Sequence, residues 1–340
     1  MSRPRIFLVG TLVSSLCFVP TIPLSSADSV EGSLDIDPIS AKLDLTESIT
    51  LAAADDIEGA AINAVGETAE YLFGNIGEDA PDWAKRFEFE WQTRQDNRPE
   101  WSILTVQPIW EADDLRDTVF TQLSYRRYEM FSLDRDVVNA GLGYRRLFLE
   151  DTVLVGVNGF FDYEVDYHHQ RSSLGAEVKW YGLDLDANKY WGLSSAHTRG
   201  VSGESVTEEP LDGHDIRLAA QVPYLPWAKV RAARYWWDTI KASEDIKGWS
   251  LSGEIDLMQN LQLEAGVKSD NFIPGDEREA FVAVRFSLAF GKPVAMSVSP
   301  ISDSPWLMRD MTERRLDKVQ RQNKIIVERR SSGVVISRGS

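Results

Sequence analysis

From Phe87 the chain alternates apolar and polar residues, and it holds that period for some two hundred residues. In "SLGAEVKW", Leu174, Ala176, Val178 and Trp180 oppose Ser173, Gly175, Glu177 and Lys179. In "GWSLSGEIDL", Trp249, Leu251, Ile255 and Leu257 oppose Ser250, Ser252, Glu254 and Asp256. A period of two is the signature of a strand with two differently solvated faces. The pattern predicts twelve strands, at about 86–94, 101–110, 117–127, 136–148, 152–162, 170–181, 182–193, 213–223, 227–237, 247–257, 260–269 and 278–290. The second, which contains Pro108, is the weakest of them.

The connections alternate as well. Those after strands 4, 6, 8 and 10 are tight, whereas those after strands 1, 3, 5, 7, 9 and 11 are longer, the longest being 194–212. "EADDLRD" after strand 2 is longer than this rule predicts. Strands of about ten residues, even in number, with short turns at one end and long loops at the other, are the wiring of an outer-membrane barrel. The Val, Leu and Trp faces then see lipid. The Glu, Asp, Lys, Arg, Ser and Gly faces see a wet lumen. Trp110, Phe148, Trp180, Trp191 and Trp236 near strand ends suit interface girdles. Lys189 and Arg234 depart from the pattern, because they share the apolar faces of Leu185 and Trp236. Both lie toward the long-loop ends of their strands, where a charge costs about 0–1 kcal/mol. A soluble β-sandwich would have to explain charged second faces on most strands without a second core.

The N-terminal part differs. Arg3 and Arg5 precede the apolar run "IFLVGTLVSSLCFVP", and Ser25 and Ala27 occupy the small positions of a cleavage site, so residues 1–27 read as a secretory signal peptide. Cys17, the one cysteine, lies inside it, which leaves a mature chain without disulfides. Residues 28–84 hold fourteen Asp or Glu and one basic residue, Lys42, and form an acidic periplasmic lead. Within it, "DDIEGAAINAVGETAEYLFG" has the spacing of a short helix. Loss of Arg3 and Arg5 takes the net charge from −17 to −19, which argues against nucleic acid as a partner. By contrast, residues 309–330 carry eight basic and four acidic side chains.

"VVNAGLGYRRLF", "VLVGVNGFFDYEVDYHHQRSSLGAEVKW", "LDLDANKYWGLS" and "RRLDKVQRQNKIIVE" resemble the translocator barrel of inverse autotransporters, the intimin and invasin family. The similarity covers about residues 55–328. It implies an all-β fold: a 12-stranded antiparallel transmembrane β-barrel, with a short N-terminal helical segment and a C-terminal linker helix threading the pore. Here the helix falls near "SPWLMRDMTERRLDKVQRQN" and an extended exit near "KIIVERR". The domains are then a signal peptide at 1–27, the lead at 28–84, the barrel at 85–291, and the pore-threading linker with a short tail at 292–340. The family usually exports an adhesive passenger. Twelve residues after Glu328 hold no domain, so the expectation here is a translocator without a passenger.

Candidate chemistry is sparse. In "FDYEVDYHH", Asp162, Glu164, Asp166 and His168 recur at intervals of two, and one extended face could offer all four to a divalent cation. Equally, they are a solvated strand end leading into an outer loop. His197 and His214, in or beside the longest loop, read as surface residues. Gly141, Gly143, Gly156 and Gly159 are spaced wrongly for a phosphate loop and better suited to let aromatics pack over them. No enzymatic constellation and no cofactor site stands out. The expected role is to anchor and translocate a C-terminal segment to the surface of the bacterial outer membrane. The alternatives are a passenger-less pore, a structural barrel, or the remnant of a split adhesin gene. Expected partners are outer-membrane lipid and lipopolysaccharide, the barrel assembly machinery, periplasmic chaperones and an unidentified receptor. Basic side chains of residues 309–330 should meet inward carboxylates such as Glu88, Glu90, Glu177, Asp184, Asp186, Glu254, Asp256 and Glu264, beside inward Arg145, Lys179, Arg217, Arg231 and Arg285.

Overall fold

The computed structural model describes residue 83 and residues 86–94, 98–201, 204–258, 261–271, 278–287, 301–306, 311–331 and 334–337. The signal peptide and, apart from Trp83, the acidic lead with its helix lie outside these residues.

Alternation becomes strand wherever the sequence has it. The barrel strands are β1 (Phe87–Arg94), β2 (Glu100–Glu111), β3 (Asp117–Met130), β4 (Leu133–Phe148), β5 (Val153–Glu164), β6 (Gln170–Trp180) and β7 (Leu183–Gly192). After two strands outside the barrel, β8 (His197–Val201) and β9 (Glu204–Pro210), come β10 (Asp212–Val222), β11 (Leu225–Asp238), β12 (Ile246–Met258), β13 (Leu261–Asp270) and β14 (Glu279–Ser287). The twelve close through antiparallel pairing of β1 with β14, Glu90 opposite Arg285. Closure leaves no strand edge, which is what a backbone in lipid requires.

The two faces divide as the pattern dictates. Leu142 and Leu174 point outward at 60% exposure, with Val157, Leu185, Leu218 and Leu251 similarly bare. The inward residues depart from the sequence reading in one respect. Arg145, Glu177 and Lys179 are 1–2% exposed, so this part of the lumen is filled rather than wet. At the short-turn end Trp110, Phe148, Trp180 and Tyr224 stand exposed as a girdle.

Two connections differ from expectation, and β2 carries a bulge. The loop after strand 3 shrinks to Phe131 and Ser132, both at positive φ (55° and 61°). That is type I′ hairpin geometry without the Asn-Gly or Asp-Gly signal that would announce it. Pro108 stays in β2 because the register slips between Pro108 and Trp110, a bulge that spares the missing N–H a ladder bond. The long segment 194–212 is not a bare loop. Its β8 and β9 pair with each other, and β9 also pairs with β15 (Val327–Ser331), which pairs with β16 (Val334–Ser337). This four-stranded sheet stands at the long-loop end of the barrel.

Candidate functional site: the occupied pore and its exit

The interior charges are placed by strand parity. Even-numbered residues of β5 and odd-numbered residues of β4, β6, β10 and β11 point in, which brings Asp162, Arg171, Arg145 and Glu177 into one bore. Inward glycines make room for the rings. The Phe160 ring lies where a Gly141 Cβ would be, and the Phe120 ring does the same at Gly143. The guanidinium of Arg145 then sits 4.2 Å over Phe120.

Residues 311–331 run through this bore from the short-turn end to the long-loop end. At the entry, the Met311 amide donates to Asp151 O in the β4–β5 turn (3.0 Å), and the Met311 side chain packs on Leu147 and Leu154. At the exit, Leu211 N donates to Ile326 O (2.9 Å), and β15 joins the edge of β9. Among the described residues of 304–323 the expected linker helix is absent. One 3-10 turn, Met311–Arg314, precedes chain without regular structure up to β15. A helix with side chains is about 10–12 Å across and satisfies its own backbone. Here the rings and guanidinium groups narrow the bore, and the wall satisfies the threaded backbone instead. Arg145 donates to Arg315 O (2.8 Å) and Asp317 O (2.6 Å). Arg171 donates to Gln322 O (2.6 Å) and Lys324 O (2.7 Å). Asn188 donates to Gln320 O, while Gln122 accepts from Val319 N and the Tyr190 hydroxyl from Gln322 N.

Side chains of the segment complete the filling. Arg314 meets Asp184 (2.7 Å), Arg315 meets Glu111 (2.6 Å), Lys318 meets Glu88, Arg321 meets Asp162 (2.7 Å) and Lys324 meets Glu100 (2.6 Å). Of the inward carboxylates singled out in the sequence, Glu88 and Asp184 thus pair with the linker. Glu90, Glu254 and Glu264 converge instead on wall Arg285, and Glu177 on Arg145. Val319 and Leu316 pack among Leu104, Val106, Phe120 and Phe160. Ile325, Ile326 and Val327 are fully buried with Tyr128, Tyr190, Trp237 and Ile246. A cavity of about 220 Å³ persists beside the segment, lined in part by Glu88, Arg126, Lys268 and Arg285.

The exit is a second cluster. Glu208 on β9 receives Arg135 (2.8 Å) and Arg329 (2.7 Å), with His169 Nε2 at 3.4 Å. Burial by itself would raise Glu208, but the His169 hydrogen bond and the two guanidinium groups outweigh it and hold the carboxyl at about 2. Burial pushes His169 below its ordinary value, and Arg135 and His197 push the same way. His169 stacks between Tyr167 and His197. So His197 is a packing partner rather than a bare surface residue. Glu328 turns its carboxylate onto the backbone amides of Ile240, Lys241 and Ala242, at 2.8–3.3 Å.

The four metal candidates separate. Asp162 is spent on Arg171 and Arg321, and Glu164 on Arg135. Asp166 accepts from the Asp136 amide, and exposed His168 bonds the Tyr163 hydroxyl. Among the described residues no three His, Cys, Asp or Glu side chains are grouped to hold a metal ion. Sequence reasoning missed Glu100, Glu111, Glu208 and Glu209 as partners of the linker. For Glu208 and Glu209 the usable signal was the Ser-Gly pair at 202–203 and again at 332–333, each between short β-prone runs.

The inverse autotransporter beta-domain model matches residues 47–323. The inverse autotransporter adhesin YeeJ of Escherichia coli K12 is 23% identical over 236 residues, covering 68% of this chain and 10% of that protein. Intimin of Escherichia coli O127:H6 is 26% identical over 240 residues, covering 69% and 24%. Invasin of Yersinia enterocolitica is 31% identical over 107 residues, covering 32% and 12%. The chain therefore spans from a tenth to a quarter of the length of these relatives. A solved chain from a study of in-meso crystallisation of membrane proteins superposes with TM-score 0.58 at 20% identity, covering 72% of this chain and 100% of that one, a likeness of fold. The family match runs through every barrel strand and stops at Asn323, inside the pore, and this chain belongs to the inverse autotransporter beta-domain family of bacterial outer-membrane barrels.

Proposed function

We propose that the barrel carries its own C-terminal segment across the outer membrane and then holds it, presenting the chain beyond β15 at the cell surface. One observation carries this reading: residues 311–331 enter at the short-turn end and leave at the long-loop end, where they become a strand of the outer sheet. The named relatives are adhesins, and by that likeness the displayed segment serves attachment, either through its own residues or through a passenger carried beyond them. Its work is then anchoring and display, without catalysis. Residues 1–27 direct export, residues 28–84 stay on the periplasmic side, and the assembly machinery inserts the barrel.

An epitope tag after Ser340 and a deletion of residues 305–340 test this together. The tag is expected to be reached by antibody on intact cells, and the deletion to leave a folded barrel with much larger single-channel conductance. A tag found only in the periplasm, with conductance unchanged by the deletion, would replace the translocator with a plain barrel.

A further inference from the structure

The outward cations of this barrel fall into two groups. On the β3–β4 side they are neutralised by neighbours: Arg127 meets Asp136 at 2.6 Å and Arg98 meets Asp134 at 3.2 Å. On the β7 to β12 side, among the described residues, Lys189 alone meets a carboxylate. Lys189, His214, Trp236 and Lys247 stand opposite one another across β7, β10, β11 and β12. In the next outward row, Ile216, Arg234 and Trp249 face one another. Below that lies Leu185, Leu218, Ala232, Leu251 and Val267, a row without a polar side chain. His214 stacks on Trp236 (4.8 Å), Arg234 lies 5.5 Å over the same ring, and Arg278 lies 5.9 Å over Trp249. One ion pair to a carboxylate is found here among the described residues, Lys189 to Asp238 at 3.7 Å.

Each cation lies within a few residues of the long-loop end of its strand, directly above hydrocarbon-facing leucines. A cation on a lipid-facing wall is disfavoured unless an anion meets it there. Arginine and lysine beside indole rings suit a phosphate held at headgroup depth, the rings seating the adjoining sugar and acyl boundary. Strands are spaced about 4.8 Å apart, so Lys189 and Lys247 are separated by three spacings, about 14 Å. That width suits a headgroup with more than one phosphate. We propose that Lys189, His214, Arg234 and Lys247, with Trp236 and Trp249, form an exterior binding site for a phosphorylated glycolipid of the outer leaflet.

The test uses the purified full chain in detergent micelles, its folding verified by heat-modifiable migration. Native mass spectrometry measures retention of diphosphorylated lipid A, of the same lipid with its phosphates removed, and of diphosphorylated lipid A in competition with inorganic phosphate. The expected result is one tightly held diphosphorylated lipid, bound about tenfold or more weakly by the Arg234→Ala/Lys247→Ala variant and normally by Arg98→Ala/Arg127→Ala. Inorganic phosphate at equal concentration should not displace it. Equal retention of the dephosphorylated lipid by the unaltered protein, a measurement that needs no variant, would overturn the proposal. So would undiminished binding in the Arg234/Lys247 variant, or displacement by inorganic phosphate.

Discussion

Arg321 of the threaded segment and Asp162 of the barrel wall meet through both guanidinium nitrogens, at 2.9 and 2.7 Å, with neither side chain exposed. Asp162 also receives Arg171, so one carboxylate serves two buried cations. Removing it strands both. Asp162→Asn is expected to destabilise the barrel by about 3–5 kcal/mol, the cost of leaving a buried charge unpaired. Urea unfolding of the refolded protein measures this. Adding Arg321→Met should return part of the loss, and a pair of variants with additive effects would refute the coupling.

Gly143 carries the Phe120 ring where a Cβ would stand, whereas Gly253 has nothing within 4 Å of that position. Gly143→Ala must displace Phe120, and with it Arg145 above the ring, at a cost of about 1–3 kcal/mol. Gly253→Ala should change stability little. Equal effects in the same unfolding assay would show that the ring-over-glycine packing is unimportant.

The sheet at the pore exit should loosen in acid. His169 has its folded value depressed below the ordinary 6.5, so the folded sheet favours the neutral ring. Its contribution is present above 6.5 and is lost as pH falls below that. Glu208, lowered from 4.5 to about 2, contributes above 4.5 and loses that contribution between 4.5 and about 2. Hydrogen exchange of the β9 and β15 amides should therefore accelerate, after correction for the intrinsic rate, first below pH 6.5 and again below 4.5. A protection profile flat from pH 7.5 to 4 would count against both groups.

The export reading is checked at the other end of the chain. Edman sequencing of protein taken from the outer membrane is expected to begin at Asp28. Recovery of an intact Met1 would replace the cleaved signal with an uncleaved one.

The barrel was legible in the sequence because its physics is local. Strand parity alone places Glu177 and Lys179 inside and Val178 and Trp180 outside, and the structure agrees. The pore contents were legible in charge but not in partners. Nothing near Glu208 announces that it will meet Arg329, which is 121 residues away. The helix assigned to the linker came from the family resemblance, and it fails because Arg145, Arg171, Asn188 and Gln122 offer an extended backbone the bonds a helix would make for itself. The Phe131–Ser132 turn was hidden because neither residue favours the left-handed region it occupies.

The way β16 returns beside β15 has a mechanical consequence. Ser337 pairs with Glu328 at the barrel rim, while Ser331 pairs with Val206 farther out. A pull on chain beyond Ser337, directed away from the cell, loads β16 at its last pair and peels it from β15 one pair at a time. The same pull, passed on to β15, runs along the strand against β9, whose rim end is held at Pro210, and must slide all five pairs from Val327 to Ser331 together. The exit would thus yield in two stages: a soft first extension that absorbs sudden tension, then a stiff stop that passes the load to the barrel wall.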